Sequence, residues 1–240
     1  MSPSTVPTRA VTPCDAVVLV GGDPVPNELL AAVTDAIDAS PFTVAADSGI
    51  AHAHRADRDV DVLVGDLDSV DVGALDRARA AGTEIVRHPV DKDATDLDLA
   101  LALVDERTAA SRPRVLLIGG HGGRVDHLLG NLLLVASARH ARLDLTGWFG
   151  HDVVTVVRDR GELAATDGSV VSLLALPGPA DAVRTEGLRF PLTGETLEAG
   201  SSRGISNEFL SDRATVEIAG GVLLVLQSTP LPPPPEGDHR

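Results

Sequence analysis

Residues 60–69 read VDVLVGDLDS, an apolar run that leads into a turn with two aspartates. The run at 60–64 is short and β-branched, as expected for a buried strand of a parallel sheet. Asp66 and Asp68 are two residues apart, so in an extended chain their carboxylates point to the same side and can bind one metal ion or two neighbouring ions. This spacing suits magnesium. The alternative is that the turn, with Ser69, only caps the helix that follows.

Short apolar runs and helical periodicity alternate on both sides of this segment. Strands are predicted at 16–20, 42–46, 60–64, 85–86 and 115–118, and helices from Pro26 or Asn27 and over 72–81, 97–104 and about 126–138. Gly82 suits the left-handed position that ends a helix. The alternation predicts an α/β fold with a Rossmann-like, doubly wound parallel sheet. Ligands of such sheets bind at the carboxyl ends of the strands.

Further acidic clusters fall at the same predicted edge. Asp47-Ser48-Gly49 follows the second strand, and Asp91-Lys92-Asp93-Ala94-Thr95-Asp96 precedes a helix. Capping and compensation of the helix dipole explain the second cluster equally well when it is considered alone. Its coincidence with the Asp66 turn favours a cation site, because neighbouring unpaired carboxylates repel one another. Lys92 would then contact a phosphate.

A glycine-rich turn follows the fifth predicted strand. Gly119-Gly120-His121-Gly122-Gly123-Arg124 places backbone amides and a guanidinium before a helix, an arrangement suited to phosphate oxygens. It lacks the Gly-Lys-Ser/Thr ending of a P-loop and does not follow the first strand. Asp126 adds a third acidic position. His127 is either a base or phosphate ligand, or a histidine that caps the helix.

The second half of the chain has a different pattern. Strand-like runs at 153–157, 169–176, 188–192, 215–218 and 222–227 are separated by turn residues, and helical periodicity is weak. We therefore expect an α/β domain at 15–150 followed by a smaller antiparallel β-sandwich domain at 151–228. Residues 229–240 contain four consecutive prolines and read as a solvated tail.

Composition limits the classes of partner. The net charge is -15 and the sequence pI is about 4.8, which opposes binding to nucleic acid or to an anionic membrane surface. The single cysteine, Cys14, excludes an internal disulfide, and the cytoplasm is the expected location. Residues 1–13 hold no apolar stretch of signal-peptide length, and no segment approaches the length of a membrane span.

The ordered motifs resemble the thiamine pyrophosphokinase family. They are Ala46-Asp47-Ser48-Gly49, Gly65-Asp66-Leu67-Asp68-Ser69, Asp91 to Asp96, Gly119 to His127, and Gly204-Ile205-Ser206-Asn207-Glu208. The resemblance spans about residues 18–226 and depends on no single motif. It implies a Rossmann-like domain joined to a β-sandwich, and transfer of a pyrophosphoryl group from ATP to the thiamine hydroxyl with release of AMP.

The resemblance also implies roles for individual residues. Asp66, Asp68 and Asp96 would hold Mg²⁺ on the triphosphate, and with Asp126 they form the expected catalytic set. The nucleotide and its phosphates would be bound by Asp47, Ser48, Gly49, Lys92, Thr95, Gly122, Gly123, Arg124 and His127. Thiamine would contact Asn131, Ser206 and Asn207.

The family further implies a homodimer in which each active site lies between the nucleotide domain of one subunit and the sandwich of its partner. This chain departs from the family in Ser48, where a second glycine is more usual, and in its few aromatic residues. Trp148 is expected to be a core residue rather than a stacking partner for thiamine. Two other functions stay open: a metal-dependent nucleotidyl or glycosyl transferase that uses a nucleotide diphosphate, and a non-catalytic nucleotide-binding module.

Overall fold

The computed structural model describes residues 13–37, 40–165 and 169–228. The predicted proline-rich tail at 229–240 and nearly all of the segment at 1–13 lie outside the described residues.

Six parallel strands form the first half of the fold. They are β1 (Ala16–Val20), β2 (Phe42–Ala46), β3 (Val62–Gly65), β4 (Glu84–Arg87), β5 (Arg114–Gly119) and β6 (Asp144–Phe149). Their order in the sheet is β6-β5-β1-β2-β3-β4. The chain therefore runs outward from β1 to β4 and then returns to the other side of β1 with β5. The reversal of strand order places a crevice between the carboxyl ends of β1 and β5, where ligands of such sheets bind.

Five helices cover both faces of this sheet. They are α1 (Asn27–Asp35), α2 (Ile50–Arg55), α3 (Val72–Ala81), α4 (Asp96–Arg107) and α5 (Val125–Ala136), with 3₁₀ turns at Asp47–Gly49 and Ala138–His140. Alternate residues of β1 face opposite sides. Val18 packs in the core under α4 and α5, and Leu19 packs in the core under α1, α2 and α3. The predicted doubly wound α/β fold is confirmed.

The second half is an antiparallel β-sandwich, as predicted. Its strands are β7 (Asp152–Val157), β8 (Arg160–Ala164), β9 (Val170–Ala175), β10 (Ala180–Glu186), β11 (Thr193–Leu197), β12 (Asn207–Glu208), β13 (Arg213–Glu217) and β14 (Leu223–Ser228). One layer continues the parallel sheet in the order β12-β9-β14-β7-β6, and the other has the order β11-β10-β13-β8. Buried aliphatic side chains such as Leu173, Val183 and Val216 fill the space between the layers.

Main-chain hydrogen bonds cross the expected division near residue 150. β7 pairs antiparallel with β6, with Gly147 opposite Val154 and Trp148 opposite Val153. The two halves therefore share a ten-stranded sheet. Trp148 is buried in the core on the α1 to α3 side, as expected.

The strand predicted at 188–192 is wrong. These residues form a loop between β10 and β11, in which Leu188 makes only an isolated bridge to Phe209. The alternation that suggested a strand is real, because Leu188 and Leu192 are buried while Phe190 is exposed. The main chain of Phe190, however, is hydrogen-bonded on both sides by the side-chain amide of Asn207 rather than by a neighbouring strand.

Candidate active site

Three carboxylates converge at the carboxyl edge of the parallel sheet. Asp47 follows β2, and Asp66 and Asp68 follow the adjacent strand β3. One oxygen from each of the three lies within 4.8 Å of the others. Carboxylate oxygens are the ligands that Mg²⁺ prefers, so this set of donors fits a magnesium ion. The sequence placed Asp66 and Asp68 among the metal ligands and Asp47 among the nucleotide contacts.

The backbone of the two loops is bent to present these side chains. Asp47 has φ of 47° and Leu67 has φ of 64°, both in the left-handed region that side chains other than glycine rarely adopt. Leu67 is buried in the core that includes α1 and α3, which anchors the turn between Asp66 and Asp68. Packing therefore holds a conformation that costs on the order of 1–2 kcal/mol per residue by itself.

Asp47 is the most buried member of the group. Its side-chain atom Oδ1 is buried without a hydrogen-bond partner. Burial raises the pKa of this carboxyl, and the negative charges of Asp96, Asp66 and Asp68 raise it further. A buried, unpartnered carboxylate among like charges is costly, and a bound cation relieves that cost.

Lys92 connects the turn after β3 to the start of α4. Its Nζ lies 2.7 Å from Asp66 Oδ2 and 3.0 Å from Asp96 Oδ1. The hydrogen bond from Lys92 lowers the pKa of Asp66. Asp66 and Asp96 therefore lie close together, as the predicted metal set requires, but a lysine ammonium lies between them. The sequence predicts that Lys92 contacts a phosphate group.

Neighbouring residues at the start of α4 have different roles: one caps the helix and another faces the acidic cluster. Thr95 is the N-cap of α4, where its hydroxyl accepts a hydrogen bond from Asp98 N. This is the capping role that the sequence left open. Asp91 and Asp93 are exposed, so of the carboxylates in this stretch Asp96 is the one that faces the cluster.

The glycine-rich turn lies at the crevice between β1 and β5. Gly120 N donates to Gly21 O at 3.0 Å, and Asp23 N donates to His121 O at 2.8 Å, so the loops after β5 and β1 are held together. Asn131, predicted to contact thiamine, donates its side-chain amide to Gly120 O at 2.9 Å. Its observed contact therefore supports the loop.

Gly122 and Gly123 both have positive φ, of 79° and 58°. A Cβ on Gly122 would lie 2.0 Å from Asp23 Oδ2, so the loop requires glycine there. Two successive glycines with positive φ just before α5 give a backbone conformation that suits a phosphate-binding turn. Arg124 and Asp126 follow and form an exposed ion pair with Arg124 Nη2 2.6 Å from Asp126 Oδ2. The hydrogen bond from Arg124 lowers the pKa of Asp126. Asp126 does not belong to the three-carboxylate group, and His127 is exposed in the first turn of α5.

Ser48 and Gly49, predicted to bind the nucleotide, pack against β1. A Cβ on Gly49 would lie 2.1 Å from Leu19 O, so the 3₁₀ turn requires glycine there. Ser48 Oγ occupies the space that a side chain on Gly21 would fill. Sequence reasoning missed His52 of α2, which is buried beneath this edge against Gly119. Its only signal was a polar residue on the apolar face of a helix.

Ser206 and Asn207 lie at the edge strand of the sandwich. Ser206 is exposed and has φ of 61°. Asn207 is 5% exposed, and its amide bonds the N and O atoms of Phe190 at 3.0 and 2.8 Å. The structure thus uses Asn207 to shape the loop beside Ser206.

Fold and site together define a class of protein: an α/β domain with a cation-ready acidic cluster at its carboxyl edge, continued by an antiparallel β-sandwich. Residues 33–146 match the family model of the thiamin pyrophosphokinase catalytic domain. Residues 155–223 match the model of the thiamin pyrophosphokinase vitamin B1 binding domain. The chain belongs to the thiamine pyrophosphokinase family, and the resemblance seen in the motifs is confirmed.

Individual relatives agree with this assignment. Thiamine pyrophosphokinase of Bacillus subtilis is 26% identical over 215 residues, which cover 88% of this chain and 97% of the relative. Thiamine pyrophosphokinase 2 of Arabidopsis thaliana is 28% identical over 180 residues, covering 72% and 67%.

Solved structures share the fold. A crystal structure of thiamine pyrophosphokinase from Bacillus subtilis superposes with a TM-score of 0.76 at 23% identity, covering 90% of this chain and 99% of the other. That of the yeast enzyme gives 0.69 at 15% identity, covering 89% and 86%. Among the described residues, no helix is long and apolar enough to span a membrane.

Proposed function

We propose that this chain transfers the terminal pyrophosphoryl group of ATP to the hydroxyl of thiamine, forming thiamine diphosphate and AMP. The observation that carries the proposal is the convergence of Asp47, Asp66 and Asp68 at the carboxyl edge of the sheet, within a chain that matches both family domains. A nucleotide triphosphate complexed with a divalent cation is the ligand that such an edge suits. We place this reaction in the cytoplasm.

The acidic cluster is the proposed Mg²⁺ site. Asp66 and Asp68 provide ligands from one turn, Asp47 from the neighbouring strand, and Asp96 from the start of α4. Asp47 Oδ1 is buried without a hydrogen-bond partner, and Asp96 Oδ1 has Lys92 Nζ at 3.0 Å. When bound, the ion neutralises the polyphosphate and holds it for in-line attack.

The phosphates are proposed to lie between this cluster and the crevice beside β1. The amides of Gly122 and Gly123, the guanidinium of Arg124 and the ammonium of Lys92 are the donors available there. Asp126 holds Arg124 through the ion pair described above, which orients the guanidinium toward an anion. Four further residues line or support the same edge of the sheet: Ser48, Gly49, Thr95 and His127.

Positioning and charge neutralisation supply most of the catalysis in this proposal. Phosphoryl transfer requires little covalent chemistry from the protein, so aligned phosphates and an aligned hydroxyl account for the rate. A strong base is unnecessary. The hydrogen bond from Arg124 lowers the pKa of Asp126, which makes this carboxylate a weaker base, so its proposed role is to hold Arg124. Asp96 or Asp126 is then the acceptor of the hydroxyl proton late in the reaction.

Thiamine is proposed to bind at the sandwich edge of a partner subunit in a homodimer. Ser206 would contact it directly, while Asn207 fixes the adjacent loop and Asn131 fixes the glycine turn. Exposed apolar side chains are available for such an interface on both halves of the fold. They are Val125, Leu129 and Leu133 on α5, and Phe190, Ile205 and Leu210 on the sandwich.

The test is product analysis of the purified protein with ATP, Mg²⁺ and thiamine. We expect thiamine diphosphate and AMP in equal amounts. ADP with thiamine monophosphate would contradict the proposal, and binding of ATP without turnover would instead support a non-catalytic nucleotide-binding module. Transfer of a nucleotidyl or glycosyl group would show as pyrophosphate or nucleoside diphosphate release.

A further inference from the structure

Lys92 is the only lysine in the chain, and it contacts the acidic cluster directly. Its Nζ lies 2.7 Å from Asp66 Oδ2 and 3.0 Å from Asp96 Oδ1, and its side chain is 13% exposed. Among the ion pairs of the described residues, Lys92 provides the one cation that touches this cluster. Asp47, Asp66, Asp68 and Asp96 together carry far more negative charge than one ammonium balances.

We propose that Lys92 holds the place of a metal cation between Asp66 and Asp96 while the nucleotide is absent. The ammonium then disfavours free divalent ions, and a metal enters the site together with the polyphosphate. The inference rests on the proposed function for the identity of that polyphosphate. The proposal adds an order of binding to that function: the metal ion binds together with the nucleotide and not before it.

The geometry makes the ammonium and a metal ion competitors. Mg²⁺ binds oxygen at about 2.1 Å. An ion on the Asp66 oxygen that Lys92 contacts at 2.7 Å would therefore lie no more than about 4.8 Å from the ammonium, well inside the Debye length. Two cations at that separation repel strongly in a partly buried site. One of them must move.

The lysine side chain is the partner that is able to move. It has four flexible methylene groups and a compact charge with three donors, so it can leave the carboxylates when another acceptor is near. The oxygens of a metal-bound polyphosphate are such acceptors. The role of phosphate ligand, inferred from the sequence, and the observed contact with carboxylates then describe two states of one residue.

The first test measures metal binding without nucleotide. Mn²⁺ is titrated into the wild-type protein and into Lys92→Met, Lys92→Arg and Arg107→Met, and free Mn²⁺ is followed by electron paramagnetic resonance. Arg107 pairs with Glu84 on the surface, so Arg107→Met removes a positive charge away from the cluster. We expect Lys92→Met to bind Mn²⁺ at least about tenfold more tightly than the wild type, with Lys92→Arg and Arg107→Met within about twofold of it.

Equal or weaker Mn²⁺ binding by folded Lys92→Met would overturn the proposal, because the ammonium would then be a support for the carboxylates rather than a competitor. Thermal unfolding of each variant establishes that it is folded. None of these measurements needs thiamine or turnover. A failure here is thus distinct from a failure of the proposed reaction.

The second test observes the lysine itself in the wild-type protein. Labelling with ¹³C at the lysine ε carbon yields one side-chain signal, because the chain has one lysine. We expect a non-hydrolysable ATP analogue with Mg²⁺ to shift this signal, and the shift to be lost in Arg124→Met if nucleotide no longer docks. A signal that stays unmoved while the analogue demonstrably binds would also overturn the proposal.

Discussion

At the scale of single residues, the carboxylates after β2 and β3 determine what the site binds. Asp47 is held with positive φ, and its oxygens face those of Asp66 and Asp68. Burial raises the pKa of Asp47, and repulsion from the neighbouring carboxylates raises it further. The site is therefore arranged for a ligand at some cost to the stability of the free protein.

Asp66→Asn and Asp68→Asn should each lower kcat for thiamine diphosphate formation by about 100-fold or more, because each removes a charged ligand of the metal–polyphosphate complex. Asp68→Asn should unfold at the same temperature as the wild type or higher, since a like charge is lost. Asp66→Asn should unfold at a somewhat lower temperature, because it loses the ion pair with Lys92. Asp76→Asn is the matched control, since Asp76 pairs on the surface of α3 with Arg79. Activity retained in both site variants would contradict the metal assignment.

His52 predicts a specific pH dependence of stability. Burial, together with the charges of Arg55 and His121, lowers the pKa of His52 from 6.5 to about 4. The folded state therefore holds the neutral ring, and its stability is intact above pH 6.5 and is lost as pH falls from 6.5 toward 4. In His52→Gln the melting temperature should fall less steeply across this window. Parallel curves for the two proteins would show that His52 does not contribute.

Residue types and spacing in the sequence identified Asp66 and Asp68 as a metal-binding pair, and the family resemblance added Asp96. The structure groups Asp66 and Asp68 with Asp47, and Lys92 contacts both Asp66 and Asp96. The sequence did not show that Lys92 lies between Asp66 and Asp96, or that the side chains of Asn131 and Asn207 hydrogen-bond to the backbone of neighbouring loops. Those contacts depend on side-chain directions and on loops that are distant in the chain. Spacing along one strand or helix carries no information about them.

At the scale of elements, close approaches between loops shape the crevice. A Cβ on Gly119, where φ is 101°, would lie 2.1 Å from Val20 O at the end of β1. Gly119 thus allows β5 to pass directly beside β1 before the phosphate-binding turn begins.

Gly119→Ala should destabilise the fold by about 2–4 kcal/mol and weaken nucleotide binding, since both the backbone strain and the collision must be relieved. Gly123→Ala is the matched control. It also has positive φ, but nothing lies within 4 Å of an added Cβ, and it should cost only about 1–2 kcal/mol. Chemical denaturation of the three proteins measures the difference. Equal losses of unfolding free energy in Gly119→Ala and Gly123→Ala would show that the close approach of Gly119 to Val20 does not affect stability.

Elements with strong local signals were predicted well. β1, β2 and α3 were located with their observed bounds, and Gly82 ends α3 in the left-handed region. The short helix α2 was missed because six residues supply too little periodicity. β8, β10 and β11 were missed because charged residues interrupt their alternation. The loop at 188–192 alternates like a strand, and only the pairing with Asn207 distinguishes it.

At the scale of the whole molecule, apolar surface on both halves supports the proposed homodimer. Val125 and Leu129 are 79% and 53% exposed on α5, and Phe190 is 59% exposed on the sandwich. Contiguous exposed apolar side chains commonly mark interfaces. The overall plan of an α/β sheet followed by a sandwich was predictable from periodicity. The continuous ten-stranded sheet was not, because β6 lies in a segment with weak strand signals.

Leu129→Asp should convert the proposed dimer into monomers and lower activity about tenfold or more, because the charge would be buried in the interface. Val72→Asp is the control, since Val72 is even more exposed, at 73% against 53% for Leu129, but lies on α3 on the opposite face of the sheet. Sedimentation velocity gives the mass and the product assay gives the activity. A fully active monomer would contradict the shared site.

The most direct measurement of the central claim follows the phosphorus atoms of ATP. With ATP labelled at the β-phosphate, the wild-type protein should place the label in thiamine diphosphate and release one unlabelled AMP for each product formed. Asp66→Asn should form neither product at a comparable rate. Label that stays in ADP, or product formed equally well by Asp66→Asn, would contradict pyrophosphoryl transfer at this acidic site.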